Sequence, residues 1–476
     1  MSSKLTRREF LRDSGFLAAA VALVSCTPTP GPEPTSPPAE GAATSAPEVA
    51  EPTEVPAAPP ADEPVALRLT YWDAWSQEQY EKEVETYRET HPNVTVAIEM
   101  TSYGEYSPKL TAAMAGGVPP DIIAVINAFV TVLGANGSLL PLQPYVEGDN
   151  FDLSDYLEGN LKEGSWMGDL LAIPMTADAV WWFYLKDVFE EEGLETPYEL
   201  WKDGRWNWDT YLDLAAKLTK GEGMDKQWGT ENLTPNNDFW FNPQVWANGG
   251  NLYDCEYTKC LLNEEEAVQA FEFYYAAREY APGPEDAEAG SMQSGRVMMF
   301  GTFEQRNTLF MGQVPFEWSC APPPASPNTG EIMFCGDCVG WSMPTIGKHP
   351  DQAWEFMKFL QTPESLMRLF YAVASPPPRV SMFDTPAIFE EHPNYGLDPQ
   401  IAWEITQARM ANFRNMPKMS NYAETRTAMS ETMSLVWVDT MDLHEGIEKV
   451  TQDWDDLLQD AVIDPDEGCH GKFCCS

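Results

Sequence analysis

The chain has 476 residues, with 29 basic against 74 acidic side chains and a formal net charge of −45. A surface this acidic repels phosphate backbones and anionic lipid headgroups, which argues against nucleic-acid binding and against polybasic attachment to membranes. A hydrophobic fraction of 43% with 17 Trp, 18 Tyr and 22 Phe rules out a wholly disordered chain, and only 5 His make a multi-histidine metal enzyme a poor fit.

The chain opens with an address. Thr6-Arg7-Arg8-Glu9-Phe10-Leu11-Arg12 is a twin-arginine pattern, and residues 15–24 (GFLAAAVALV) are a short apolar run. Such a run is too short to cross a hydrocarbon core, which needs about 20 residues as a helix. Basic start, apolar core and small residues at the end read as an export signal. Leu23-Val24-Ser25-Cys26 resembles the lipobox of bacterial lipoproteins, which implies cleavage before Cys26 and lipid on its thiol. Residues 1–25 are therefore expected to be a Tat-type lipoprotein signal peptide. Residues 26–64 are expected to be the lipidated cysteine and a Pro/Glu-rich tether. Positions 27–64 hold twelve prolines and seven acidic residues, with no aromatic, Lys or Arg. Such a segment cannot bury apolar surface and stays extended, as a spacer or as a glycosylated stalk.

The body begins as alternating strand and helix. Residues 67–72 (LRLTYW) read as a strand, and Ser76-Gln77-Glu78-Gln79 as a capping box opening a helix with Tyr80, Val84 and Tyr87 on one face. Residues 94–100 (VTVAIEM) alternate as a second strand, and Ser107-Pro108 reads as a helix start closed by Gly116-Gly117. Residues 121–126 (DIIAVI) are a short apolar run, as a buried parallel strand should be. This order predicts a covered parallel sheet, whose ligands sit beyond the carboxyl ends of the strands. Those ends carry Asp73, Ala74 and Trp75, then Thr101, Ser102 and Tyr103, then Asn127. Residues 173–186 (IPMTADAVWWFYLK) read as one strand crossing the molecule, followed by a helix from Asp187 that Gly193 closes. Helical spacing recurs at 264–278, 351–361, 401–410 and 440–461. About 412 residues of body exceed what one core holds, so two lobes are expected.

Several ordered patterns carry a family resemblance. They are Lys109 to Gly117 with Pro120-Asp121-Ile122-Ile123, Gly137 to Leu142, Ile173-Pro174 through Lys186-Asp187-Val188-Phe189, and Ala247-Asn248-Gly249-Gly250. Ser294 to Met299 with Gly301-Thr302-Phe303, and Lys348-His349-Pro350 to Leu360, complete the series. In this order they resemble the extracellular solute-binding proteins, family 1, of ABC importers, the group that includes maltose-binding protein. The resemblance implies an α/β, two-lobe, periplasmic-binding-protein type II-like fold with a hinge between lobes. The expected division is 65–177 plus 338–388 for the first lobe and 178–337 plus 389–476 for the second. It implies capture of a carbohydrate by hinge closure and delivery to the transmembrane subunits of an ABC permease. The protein would be a monomer on the outer face of the cytoplasmic membrane, without catalytic activity, cofactor or metal.

A sugar ring presents apolar C–H faces to aromatics and hydroxyls to polar side chains, which fits the aromatic load. Position matching to the family gives Trp75, Asn127, Asp178, Trp240, Trp246, Phe303, Trp341 and Tyr422 as ligand-binding residues. After Cys26, eight cysteines remain, an even number that in an exported chain favours disulfides. Cys255 and Cys260 flank a short turn and are expected to pair. Cys320 could reach Cys335 or Cys338, and Cys469 could pair with Cys474 or Cys475. Cys335-x-x-Cys338 also has zinc-ligand spacing, without a second pair at standard distance. The readings competing with carbohydrate capture are an exported glycoside hydrolase, a binding protein for a non-sugar solute, and a lipid-anchored adhesin.

Overall fold

A computed structural model of the chain describes residues 63–72, 76–283, 286, 294–305, 314–393 and 395–464. The signal peptide, Cys26 and nearly all of the tether, together with Trp75, Cys469, Cys474 and Cys475, lie outside the described residues. Among the described residues no helix is long and apolar enough to cross a membrane.

The first sheet begins with β1 (Val65–Tyr71) and α1 (Gln77–Arg88), followed by β2 (Val94–Met100), α2 (Tyr103–Ala115) and β3 (Ile122–Val125). Ser76 precedes α1 but makes no side-chain cap, so the helix forms without the expected capping box. Its inner face carries Tyr80, Glu83 and Tyr87, with Val84 half-buried. Glu83, fully buried, accepts from both Arg368 Nε (2.7 Å) and Nη2 (2.6 Å), which explains how a charge sits on that face. The second helix starts at Tyr103 rather than Ser107, leaving Pro108 inside it.

β1 pairs with β2 and β3 in parallel. β4 (Ala172–Pro174) and β10 (Gly340–Ser342) complete this five-stranded sheet, β10 running antiparallel between β3 and β4. The second sheet is built on β5 (Asp178–Leu185), all eight residues of which are buried. Its order is β8 (Trp318–Ala321), β5, β7 (Val297–Phe303), β6 (Trp228–Thr230), with β9 (Gly336–Asp337) also on β5. The expected single strand over 173–186 is thus two strands in two sheets, broken at residues 175–177. No local signal marks that break, because each half is fixed by partners distant in sequence.

Two hydrophobic cores follow. One packs Leu67, Leu69, Ile122, Ile123, Trp341, Trp354 and Phe356. The other packs Trp181, Trp182, Phe183, Tyr211, Trp246 and Phe271. Phe370, Phe383 and Ile388 belong to the second core, so the chain returns to the second lobe before residue 388.

The cysteine expectations need correction. Cys255 is disulfide-bonded, but its expected partner Cys260 is a free thiol. Cys260 is turned into the core, with its amide donating to Asp455 Oδ1 at 2.6 Å. Cys320, Cys335 and Cys338 are also free and buried. Cys320 lies opposite Phe183 on β5, whereas the Cys335 carbonyl accepts from Val180. Three residues along a strand is about 10 Å and the opposite face, beyond the reach of a disulfide. Among the described residues no three His, Cys, Asp or Glu side chains gather as a metal site.

Candidate functional site

Segments of chain pass between the lobes side by side. Met175 and Thr176 amides donate to the Val339 carbonyl, and Ala177 donates to Pro376. Where the first of these enters β5, Asp178 stands in register with Asp337 of β9. This ladder is unusually close. A Cβ on Gly336 would sit 1.8 Å from the Asp178 carbonyl oxygen, so only glycine fits.

The polar residues at this junction come from both lobes. Asn127 is buried at the start of α3 (Asn127–Ala135), which leaves the carboxyl end of β3. Its amide donates to Asp337 Oδ1 at 3.4 Å and its Nδ2 to the Met416 carbonyl at 3.5 Å. Across the gap, Asp238 opens α4 (Asp238–Ala247) and accepts from Arg426 Nε at 3.1 Å and from the Tyr422 hydroxyl. Tyr422 and Arg426 lie four apart on α5 (Tyr422–Trp437), hence on one face. Tyr103, 59% exposed, lies on the first lobe within electrostatic reach of Asp337, Arg426 and Asp238. Its ring packs edge-on against Trp72, centroids 5.7 Å apart. Burial, with the charges of Asp178 and Asp238 adding to it, pushes Asp337 up to about 7. Burial also raises Asp238, against the pull of Arg426.

The aromatic wall lies beside this cluster. Phe303 ends β7 opposite Val180, and its ring meets Phe239 and Trp240 edge-on, each at 5.5 Å. All three are partly exposed. A cavity of about 20 Å³ under Asp238, Tyr422 and Arg426 has room for one water and none for a sugar.

Asn127, Asp178, Trp240, Phe303 and Tyr422 thus converge on one interlobe junction. Trp246 and Trp341 do not. They are 1% and 0% exposed, Trp246 under Arg414 (4.6 Å) and Trp341 against Tyr71 and Tyr80 (5.8 and 5.6 Å). Both are core residues, and their assignment to a ligand is withdrawn. Trp75 lies outside the described residues. Sequence reasoning missed Tyr103 as a site residue, and Asp238, Asp337 and Arg426 altogether. Asp337 sits inside Cys335-Gly-Asp-Cys338, a segment whose one sequence signal is its sulfur spacing. The Tyr422–Arg426 spacing was the one readable sign of the third group.

The family model for bacterial extracellular solute-binding proteins matches residues 73–367, more than half of the chain. A candidate binding protein of Brucella abortus is 22% identical over 304 residues, 62% of this chain and 71% of its own. Among solved structures, an ABC substrate-binding protein of Listeria monocytogenes in complex with cycloalternan superposes with a TM-score of 0.73. It is 18% identical and covers 83% of this chain and 100% of its own. The GacH receptor of Streptomyces glaucescens, solved unliganded and with acarbose, gives 0.69 at 18% identity over 84% and 100%. A maltose/maltodextrin-binding domain of Bdellovibrio bacteriovorus bound to maltotriose gives 0.66 at 16% identity over 83% and 100%. With two α/β lobes meeting at a polar and aromatic junction, and a family match over more than half of its length, the chain belongs to the bacterial extracellular solute-binding proteins.

Proposed function

We propose that the protein is the non-catalytic capture component of an ABC importer for a carbohydrate. The observation that carries this reading is the interlobe junction. Asn127 and Tyr103 stand on one lobe, Asp238, Tyr422, Trp240 and Phe303 on the other, and Asp178 and Asp337 at the crossing between them. A ligand touching both lobes stabilises the closed arrangement. Carboxylates and an amide accept and donate to hydroxyls, while Trp240 and Phe303 supply apolar surface for a ring. The sugars held by the structurally similar proteins of Listeria, Streptomyces and Bdellovibrio support the same class. Lipid on Cys26 would hold the body outside the membrane on its tether, within reach of the permease that receives the sugar. The body would act as a monomer.

The test is a thermal-shift screen of the mature chain against mono- and oligosaccharides, with polyamines and peptides as controls. A ligand that binds only the folded state raises the midpoint by mass action. The reading expects a selective sugar to do so and to be recovered unchanged. Release of shorter products would make the protein a hydrolase. A shift with a control solute alone would remove the carbohydrate.

A further inference from the structure

Glycine inside a strand weakens it, so its presence there calls for a reason. Gly301 lies within β7, in register with Trp182 of β5, and it does not occupy the left-handed region. The reason is a side chain. A Cβ at 301 would stand 2.5 Å from Trp240 Nε1 and 2.6 Å from its Cδ1, closer than such atoms approach, and 3.4 Å from Glu231 Oε1. The pyrrole edge of Trp240 therefore rests on the bare backbone of Gly301, with Phe303 edge-on against the same indole at 5.5 Å. The Gly301 amide meanwhile donates to Glu231 Oε1, tying down the carboxylate beside the ring.

We infer that Gly301 is a positioning residue for ligand capture: its missing side chain sets the depth and tilt at which Trp240 presents its face to the interlobe gap. This rests on the reading of Trp240 as part of the ligand wall. A methyl at 301 pushes the indole outward, into the space a ring would occupy, while leaving the strand amide and its bond to Glu231 in place.

The experiment compares wild type, G301A, W240F, W240A and the double variants G301A/W240F and G301A/W240A, each as the full mature chain. Calorimetry with maltotriose and acarbose reads affinity, and near-ultraviolet circular dichroism without ligand reads the indole environment. G301A is expected to weaken binding by about tenfold or more. W240F, lacking the pyrrole edge, restores most of the loss in the G301A background. In the ligand-free spectra, G301A differs from wild type, whereas G301A/W240A matches W240A. Wild-type affinity and spectrum in G301A would overturn the proposal, and so would failure of W240F to rescue. Should G301A alone misfold, recovery of fold and binding in G301A/W240F supports the same conclusion. Unchanged binding in W240A would remove Trp240 from the ligand wall and the proposal with it. Failure of wild type to bind either sugar would count against the carbohydrate reading, while the ligand-free spectra would still decide whether Gly301 seats Trp240.

Discussion

Burial of Asp337 beside Asp178 and Asp238 gives the protein a pH dependence whose sign can be worked out. Its folded pKa, about 7, lies above the ordinary carboxylate value of 3.8. Between those values the unfolded chain has lost the proton and the folded protein keeps it. Stability from this group therefore falls as pH rises through that window and levels off above about 7. D337N removes the titration. Its stability relative to wild type should grow from pH 4 to pH 8 by an amount on the order of a few kcal/mol, read as thermal midpoints. His392, whose pKa burial lowers, acts in the opposite direction but is common to both proteins and cancels in the difference. A constant difference across pH would mean that Asp337 ionises normally. The two withdrawn tryptophans give a contrasting expectation. W341A should cost about 3–5 kcal/mol of stability, as a large core truncation does, while leaving the order of preference among ligands intact. A change in that order would return Trp341 to the site.

At the scale of elements, the contact between β9 and β5 has no spare room. G336A places a methyl on the Asp178 carbonyl, so the two-residue ladder must part and Asp337 leaves its register. A loss of about 3 kcal/mol or more is expected, from overpacking against backbone. G104A is the control: it lies in α2 with nothing within 4 Å of the added carbon, and should stabilise by roughly 0.5–1 kcal/mol. Equal midpoints for the two would refute the close-approach argument. The same contact shows what could be read beforehand. β2 was legible to the residue because alternation is local and its two faces differ. The break at residues 175–177 was not, because the apolar run is continuous and only pairing with β10 and β9 divides it. Asn127 was legible as a candidate from its place at the carboxyl end of β3, and Asp178 only through the family resemblance. Asp238 was not, since a partner brought in by tertiary packing leaves no mark at its position, and Arg426 showed only in its four-residue spacing from Tyr422. Aromatic richness misled for Trp246 and Trp341, because a wall and a core use the same residue types.

For the whole molecule, closing the lobes means bringing two acidic bodies together. Acidic residues outnumber basic ones in both 65–177 and 178–337. Their repulsion opposes closure, and with it the capture of any ligand that needs the closed form. Salt screens this over a Debye length of about 30 Å at 0.01 M and about 8 Å at 0.15 M. A neutral ligand has no charge of its own to be screened, so its affinity reports on closure alone. Affinity for a neutral sugar should therefore rise between those two salt concentrations, and small-angle scattering should show a smaller radius of gyration when the sugar is bound. At pH 8, where Asp337 is ionised, D337N removes one charge from the junction, so the salt dependence there should be shallower. An affinity indifferent to salt, with a radius that does not change on binding, would mean that the ligand is held without bringing the acidic faces closer, and the hinge would have no part in capture.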